Sequence, residues 1–336
     1  FPLTSLLSPY EPELAVSLNR FLTKEYSWKF LRGGGEALAV CARMVRTVAL
    51  NQKILVCGYH GTHDWYLSAG MGKGDKLGGI FLEGLESVGL PEEYQGTTES
   101  ISILSSKVIE EKINNYKPGT IFIESCRYEL LDREIVDILK KFQQNGGILV
   151  SDEVTSGLRF RNKLAAYECG LDPDFVVLGK SLGNGFAISS VGAQKKHAFK
   201  LQKCFLSSTH WTEEIGLLAG VLTLSALNDW DNFFIKFESQ CRFLRNEIFE
   251  NLSNSGFPFT MNSQVTMITY GFQEYNGFKG SEIRTLLIIR MLTKGYLLST
   301  TIYPSLAHTV NEIKQFSRHL SVCLAELKLD IDLQPL

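Results

Sequence analysis

The sequence predicts an α/β fold, a mostly parallel central sheet with helices on both faces, followed by a smaller α+β unit. Three observations carry this expectation. Short, nearly continuous apolar runs recur at residues 53–58, 120–124, 147–154 and 174–180, as strands buried on both faces require. Between them lie stretches of helical period, so strand and helix alternate, and right-handed crossovers then stack the strands in parallel. From about residue 229 the alternation gives way to long helices and two short strand-like runs, at 264–270 and 295–300. The expected division is an N-terminal arm or helix over 1–30, a large α/β domain over 31–228 and a small α+β domain over 229–336.

Taken in order, residues 11–22 have apolar positions at helical spacing after Pro12, which can open a helix. Trp28-Lys29-Phe30-Leu31-Arg32 runs into Gly33-Gly34-Gly35-Glu36, ahead of the helix formers of 37–46. Glycines at a helix start leave backbone N–H groups bare, which reads either as a flexible turn or as a phosphate site. The run at 53–58 ends in Tyr59-His60-Gly61-Thr62-His63. Tyr59 fits a half-buried core aromatic or a ring stacked on a planar ligand. His60-x-x-His63 has no third or fourth ligand at metal spacing, so no metal site is expected.

Residues 68–98 are rich in glycine and long for a connection, which predicts a mobile or functional loop. A helical pattern returns at 101–115, and the run at 120–124 ends in Glu124 with Arg127 just beyond. Residues 132–142 form an amphipathic helix stopped by Asn145-Gly146-Gly147. Beyond Lys180 come a tight turn at 181–186 and a return strand at 188–192. Ser207, Ser208, Thr209 and Thr212 then precede a long helix, as caps or as phosphate ligands. In the last helix Ile313, Phe316, Leu320, Leu324 and Leu327 supply the apolar face.

The chemistry concentrates at two strand ends. The runs through Asp152 and up to Lys180 each stop in an ionisable residue, which a buried parallel strand delivers to the carboxyl edge of its sheet. A carboxylate and an amine meeting there suit a cofactor that needs an anion at one point and a covalent amine at another, as pyridoxal phosphate does.

Composition narrows the partners. A net charge of -2, from 34 basic and 36 acidic residues, provides no general attraction to nucleic acid or acidic membranes. The seven cysteines are scattered and never spaced C-x-x-C, against a disulfide framework and in favour of a reducing cytoplasm. No apolar run approaches a membrane span. The start, Phe1-Pro2-Leu3-Thr4, is neither a signal peptide nor an initiator Met, so the natural beginning is expected to lie upstream.

Four motifs, in order and at family-like spacing, then resemble one family. They are Tyr59-His60-Gly61, Asp152-Glu153-Val154-Thr155-Ser156-Gly157-Leu158-Arg159, Leu178-Gly179-Lys180-Ser181-Leu182-Gly183-Asn184-Gly185, and Ser208-Thr209 before the long helix. Over roughly residues 9–327 the chain resembles the class III aminotransferases of the fold-type I pyridoxal-phosphate enzymes, in the branch related to glutamate-1-semialdehyde aminomutase. The resemblance implies that Lys180 binds the cofactor covalently and moves the proton at the substrate carbon, and that Asp152 keeps the pyridine nitrogen protonated. Tyr59 and Val154 would pack on opposite ring faces, with His60 also in the cofactor-binding set. Gly34 and Gly35 would hold the phosphate by backbone N–H groups, completed by Thr209 from across a homodimer interface. Residues 58–66 and 207–216 are similar to members associated with sugar or surface-polysaccharide pathways.

The expected function is therefore transfer of an amino group from an amino donor to a carbonyl acceptor, both small molecules, in a ping-pong cycle. Two departures bear on it. Family members commonly carry a hydroxyl residue where this chain has Gly35, and the upstream segment that helps shape their substrate pocket is absent from this sequence. Arg127, Arg159 and Glu153 stand as substrate-contact candidates or structural ion-pair partners, with Glu124 equally open. The alternatives are an intramolecular aminomutase on the same scaffold and a non-catalytic binding subunit.

Overall fold

The computed structural model describes residues 7–71, 85–101 and 104–333, and the chain divides into two compact units, Phe1–Asn228 and Asp229–Leu336. The glycines at 72, 74, 78, 79 and 84 in the expected glycine-rich loop lie outside the described residues.

The first unit is built on a seven-stranded sheet. Its strands are β1 (Tyr26–Leu31), β2 (Ile54–Cys57), β3 (Thr98–Ser100), β4 (Thr120–Ile123), β5 (Ile148–Glu153), β6 (Phe175–Leu178) and β7 (Ser189–Gln194), in spatial order β1-β7-β6-β5-β4-β2-β3. Strands β2 to β6 are parallel, while β7 runs antiparallel to both β6 and β1. The sequence pattern missed β1 and β3. The first mixes Ser27 and Lys29 with its apolar residues, and the second is three residues long at the end of a glycine-rich stretch, so neither shows a buried-strand signature.

Helices cover both faces. α1 (Tyr10–Leu22) packs with α8 (Glu214–Ala226), and α4 (Ser106–Tyr116) with α5 (Arg133–Gln144). α2 (Gly34–Val48) has eight buried residues and packs on β6 and β7, among other elements. α5 begins where the Asp132 side chain accepts the Ile135 N–H at 2.9 Å, a helix cap of ordinary geometry. Short helices α3 (Asp64–Leu67), α6 (Ala165–Glu168) and α7 (Lys195–Leu201) complete the unit.

In the second unit α9 (Trp230–Asn254), α10 (Gly280–Thr293) and α11 (Val310–Leu333) pack around a three-stranded antiparallel sheet ordered β10-β9-β8. The strands are β8 (Phe259–Met261), β9 (Ile268–Phe272) and β10 (Thr301–Ile302). This corrects the expected run at 295–300, which is not a strand, and adds β8. Both errors fall on strands of two or three residues, too short for an alternation to register.

Among the described residues no helix is long and apolar enough to cross a membrane, and all seven cysteines are free thiols.

Candidate active site

Side-chain alternation along β5 separates the two acids at its end. Ile148 and Val150 pack in the core shared with α2, and Leu149 in the opposite core shared with α4 and α5. With a period of two, Asp152 falls on the α2 face and Glu153 on the other. Asp152 is buried; its Oδ2 lies 2.8 Å from His60 Nδ1, and its Oδ1 accepts the Val154 N–H at 3.0 Å. His60 is 0 % exposed, edge-on to Tyr66 and Phe122, and its Nε2 has no hydrogen-bond partner among the described residues.

Glu153 is corrected as a substrate candidate. It is fully buried and accepts hydrogen bonds from Ser151 Oγ (2.9 Å), Ser156 Oγ (2.5 Å) and the backbone N–H groups of Ala165 (3.0 Å) and Ala166 (2.8 Å). The carboxylate that the sequence set beside Asp152 is thus spent on the loop beyond β5 and the start of α6.

Lys180 follows β6 by two residues, at a φ of 41° in the left-handed region. A non-glycine residue there costs roughly 1–2 kcal/mol, held by its surroundings. Its exposed Nζ donates to Thr155 Oγ1 at 2.7 Å, and Arg159 Nε donates to the Thr155 carbonyl at 3.2 Å. Partial desolvation lowers the Lys180 pKa, helped by Arg159 and Arg127, while Asp152 and Glu124 pull the other way. Strands β5 and β6 are parallel neighbours with Asp152 opposite Val177, so Lys180 lies just beyond the sheet edge at which Asp152 stands. Thr155 was not singled out by the sequence, although it lies inside a quoted motif; its role depends on how the loop after β5 folds back.

The glycine start of α2 reaches the same edge. A Cβ on Gly34 would lie 2.7 Å from Val154 Cγ1, and one on Gly179 would lie 3.3 Å from the same atom. Val154 is therefore held between the helix start and the residue before Lys180. Gly35 lies against His63, which does not join His60, and no group of three potential metal ligands occurs among the described residues. The Glu36 carboxylate closes the α2 start by accepting the Arg32 N–H at 3.1 Å, and it also accepts Trp211 Nε1 at 2.7 Å.

Through Trp211 the turn Thr209–Thr212 is fastened to the start of α2, yet Thr209 itself is exposed and makes no hydrogen bond to Asp152 or Lys180 within the described chain. The serines and threonines before α8 are not its cap. Glu213 is, accepting the N–H groups of Ile215 and Gly216, and it pairs with Arg32.

Tyr59 is half-buried, edge-on to Tyr66. The Arg127 guanidinium lies over its ring, 5.8 Å from the centroid, and pairs with Glu124 at 2.9 Å. Burial, together with the nearby Asp152 charge, raises the Glu124 pKa against the opposing effects of Arg127, His60 and the Tyr59 N–H.

A model of the class-III aminotransferase family matches residues 10–295, and the chain belongs to that family. It is a pyridoxal-phosphate-dependent aminotransferase with the fold-type I architecture. The glutamate-1-semialdehyde 2,1-aminomutase of Caldicellulosiruptor bescii is 24% identical over 316 residues, covering 86% of this chain and 71% of that protein. The 2'-deamino-2'-hydroxyneamine transaminase of Streptomyces kanamyceticus is 25% identical over 210 residues, covering 60% and 48%. In structure the chain is similar to an omega-transaminase from Sphaerobacter thermophilus, with a TM-score of 0.81 over 96% of this chain and 80% of that one at 17% identity.

The residues present fit the cofactor. An amine and a hydrogen-bonded carboxylate share one sheet edge, a half-buried aromatic and Val154 stand beside them, and α2 opens on glycines. The first-turn N–H groups of α2 have no carbonyl one turn back, which suits a phosphate.

Proposed function

We propose that this enzyme moves an amino group from a small amino donor to a small carbonyl acceptor in two separate half-reactions. The observation that carries the reading is the convergence of Lys180, Asp152 and the α2 start on one edge of the sheet. Pyridoxal phosphate, when bound, supplies the electron sink for the bond broken at the substrate carbon.

The chain's own residues do the rest. Lys180 Nζ would hold the cofactor and then shuttle the proton at the substrate carbon, and its lowered pKa favours the neutral amine that both tasks need. Thr155 Oγ1 orients that amine. Asp152 would face the pyridine nitrogen, held by the Val154 N–H and His60. A charge-assisted hydrogen bond of this kind is worth about 1.5–3 kcal/mol. Gly34 and Gly35 would bind phosphate through backbone N–H groups, and Tyr59 and Val154 would flank the ring. Arg127 and Arg159 are the candidates for an acidic group on the substrate. Thr209, exposed here, would complete the phosphate site of a second copy, so the working form is a homodimer, and a cytoplasmic location suits the free thiols. A sugar-type acceptor is supported by the patterns at 58–66 and 207–216 and by the neamine-type transaminase relative.

The aminomutase relatives favour a second reading, transfer within one molecule. A single-donor half-reaction separates the two. Mixed with one amino donor and no acceptor, the loaded enzyme is expected to lose its visible absorbance and release about one carbonyl product per site. Return of the absorbance with rearranged substrate and no carbonyl released would favour the mutase.

A further inference from the structure

Glu124 is the buried acid at this edge to which neither the cofactor nor the proton transfer assigns a task. Strands β2 and β4 are parallel neighbours with Cys57 opposite Ile123, so the residues just beyond them, Gly58 and Glu124, come side by side. Glu124 is 7 % exposed. Its Oε2 accepts the Tyr59 N–H at 2.8 Å and Arg127 Nη1 at 2.9 Å. One oxygen therefore ties the backbone of the aromatic residue to the cation lying over that residue's ring.

The approach depends on Gly58. Its φ is +122°, a conformation L side chains rarely adopt, and a Cβ there would stand 2.6 Å from Glu124 Oε2 and 2.9 Å from its Cγ. Position 58 thus vacates the space the carboxylate fills.

From these contacts we infer that Glu124 is a positioning residue: it sets the angle of the Tyr59 ring, and of Arg127 above it, toward the cofactor. Neither Lys180 nor Asp152 is hydrogen-bonded to it, so its effect passes through Tyr59. The inference rests on the proposed packing of Tyr59 against the cofactor.

The test uses the loaded enzyme and reads cofactor release and the visible circular dichroism of the bound cofactor, neither of which requires turnover. Loss of a hydrogen bond to a charged group should speed release by about tenfold or more in Glu124→Ala and weaken the dichroism. Gly58→Ala should do the same by displacing the carboxylate. In a Tyr59→Ala background, Glu124→Ala should add less than about twofold, because the two act as one unit. If Glu124→Ala does not fold, Glu124→Gln replaces it; its amide oxygen still accepts the Tyr59 N–H, and its smaller effect, about threefold, should also vanish in the Tyr59→Ala background.

Full additivity, or wild-type release and dichroism in Glu124→Ala, would overturn the inference while leaving the cofactor site standing, provided Tyr59→Ala itself speeds release. A silent Tyr59→Ala would overturn the packing of Tyr59 and the inference with it.

Discussion

Gly34 shows at the scale of one residue how close packing and cofactor geometry meet. Its hydrogen atom is all that fits beside Val154, since a Cβ would approach Val154 Cγ1 to 2.7 Å. Gly34→Ala should push Val154 toward the cofactor ring and weaken pyridoxal-phosphate affinity by on the order of tenfold or more, as overpacking by one methyl commonly costs about 1–3 kcal/mol. A fluorescence titration with the cofactor measures this, and unchanged affinity would show that Val154 does not pack where proposed. Asp152 and Lys180 were legible in the sequence because each ends an apolar run. Glu153 was misread because adjacent positions on a strand look alike in sequence and differ only in the face they take. The bonds that Thr155 and Glu124 make escaped for another reason. Their partners lie 25 and 65 residues away along the chain, and no local pattern encodes such pairs.

The carboxylate that binds several elements together is Asp174, just before β6. Its Oδ2 accepts the Leu149 N–H at 3.0 Å and Gln143 Nε2 at 2.8 Å, while Oδ1 meets Lys196 at 2.5 Å and His197 Nε2 at 3.1 Å. It thereby joins α5, β5 and α7. Burial alone would raise its pKa, but these hydrogen bonds outweigh burial and hold it at about 2, below the ordinary 3.8. A depressed folded-state pKa stabilises the protein above the unfolded value, and the gain is lost as pH falls through the folded one. Asp174 should therefore contribute about 2 kcal/mol at neutral pH that disappears progressively from about pH 5 down through pH 2. Denaturant unfolding of wild type and Asp174→Ala across this range measures it, and a stability difference that does not shrink with acid would contradict it. Elements of this size were readable when long: α1, α5, α9 and the buried parallel strands follow their hydrophobic periods. β1, β3, β8 and β10 were not, because short or mixed strands owe their place to neighbours far along the chain.

For the molecule as a whole, the central proposal is a pair of chains completing each other's sites. Thr209 is exposed in the single chain although the turn that carries it is anchored to the α2 start through Trp211 and Glu36. Mixing Thr209→Ala with Lys180→Ala subunits tests this directly. A hybrid dimer in which Thr209 serves the partner should regain one wild-type cofactor site, whereas a Thr209 acting within its own chain would restore none. The division into a large and a small unit could be read from the change in element pattern near residue 229. The proposed pairing of two chains has no such local signal, because no residue of a single sequence marks which exposed groups a second copy would cover.

The proposed amino transfer depends on Lys180. Loading the protein with pyridoxal phosphate, reducing with borohydride and mapping the labelled peptide should place the modification on Lys180 alone. Lys180→Ala should carry no label and lose turnover by roughly 10²–10⁴-fold, the usual loss on removing a positioned general base. Labelling of a different lysine in the folded wild type, or turnover surviving intact in Lys180→Ala, would contradict it.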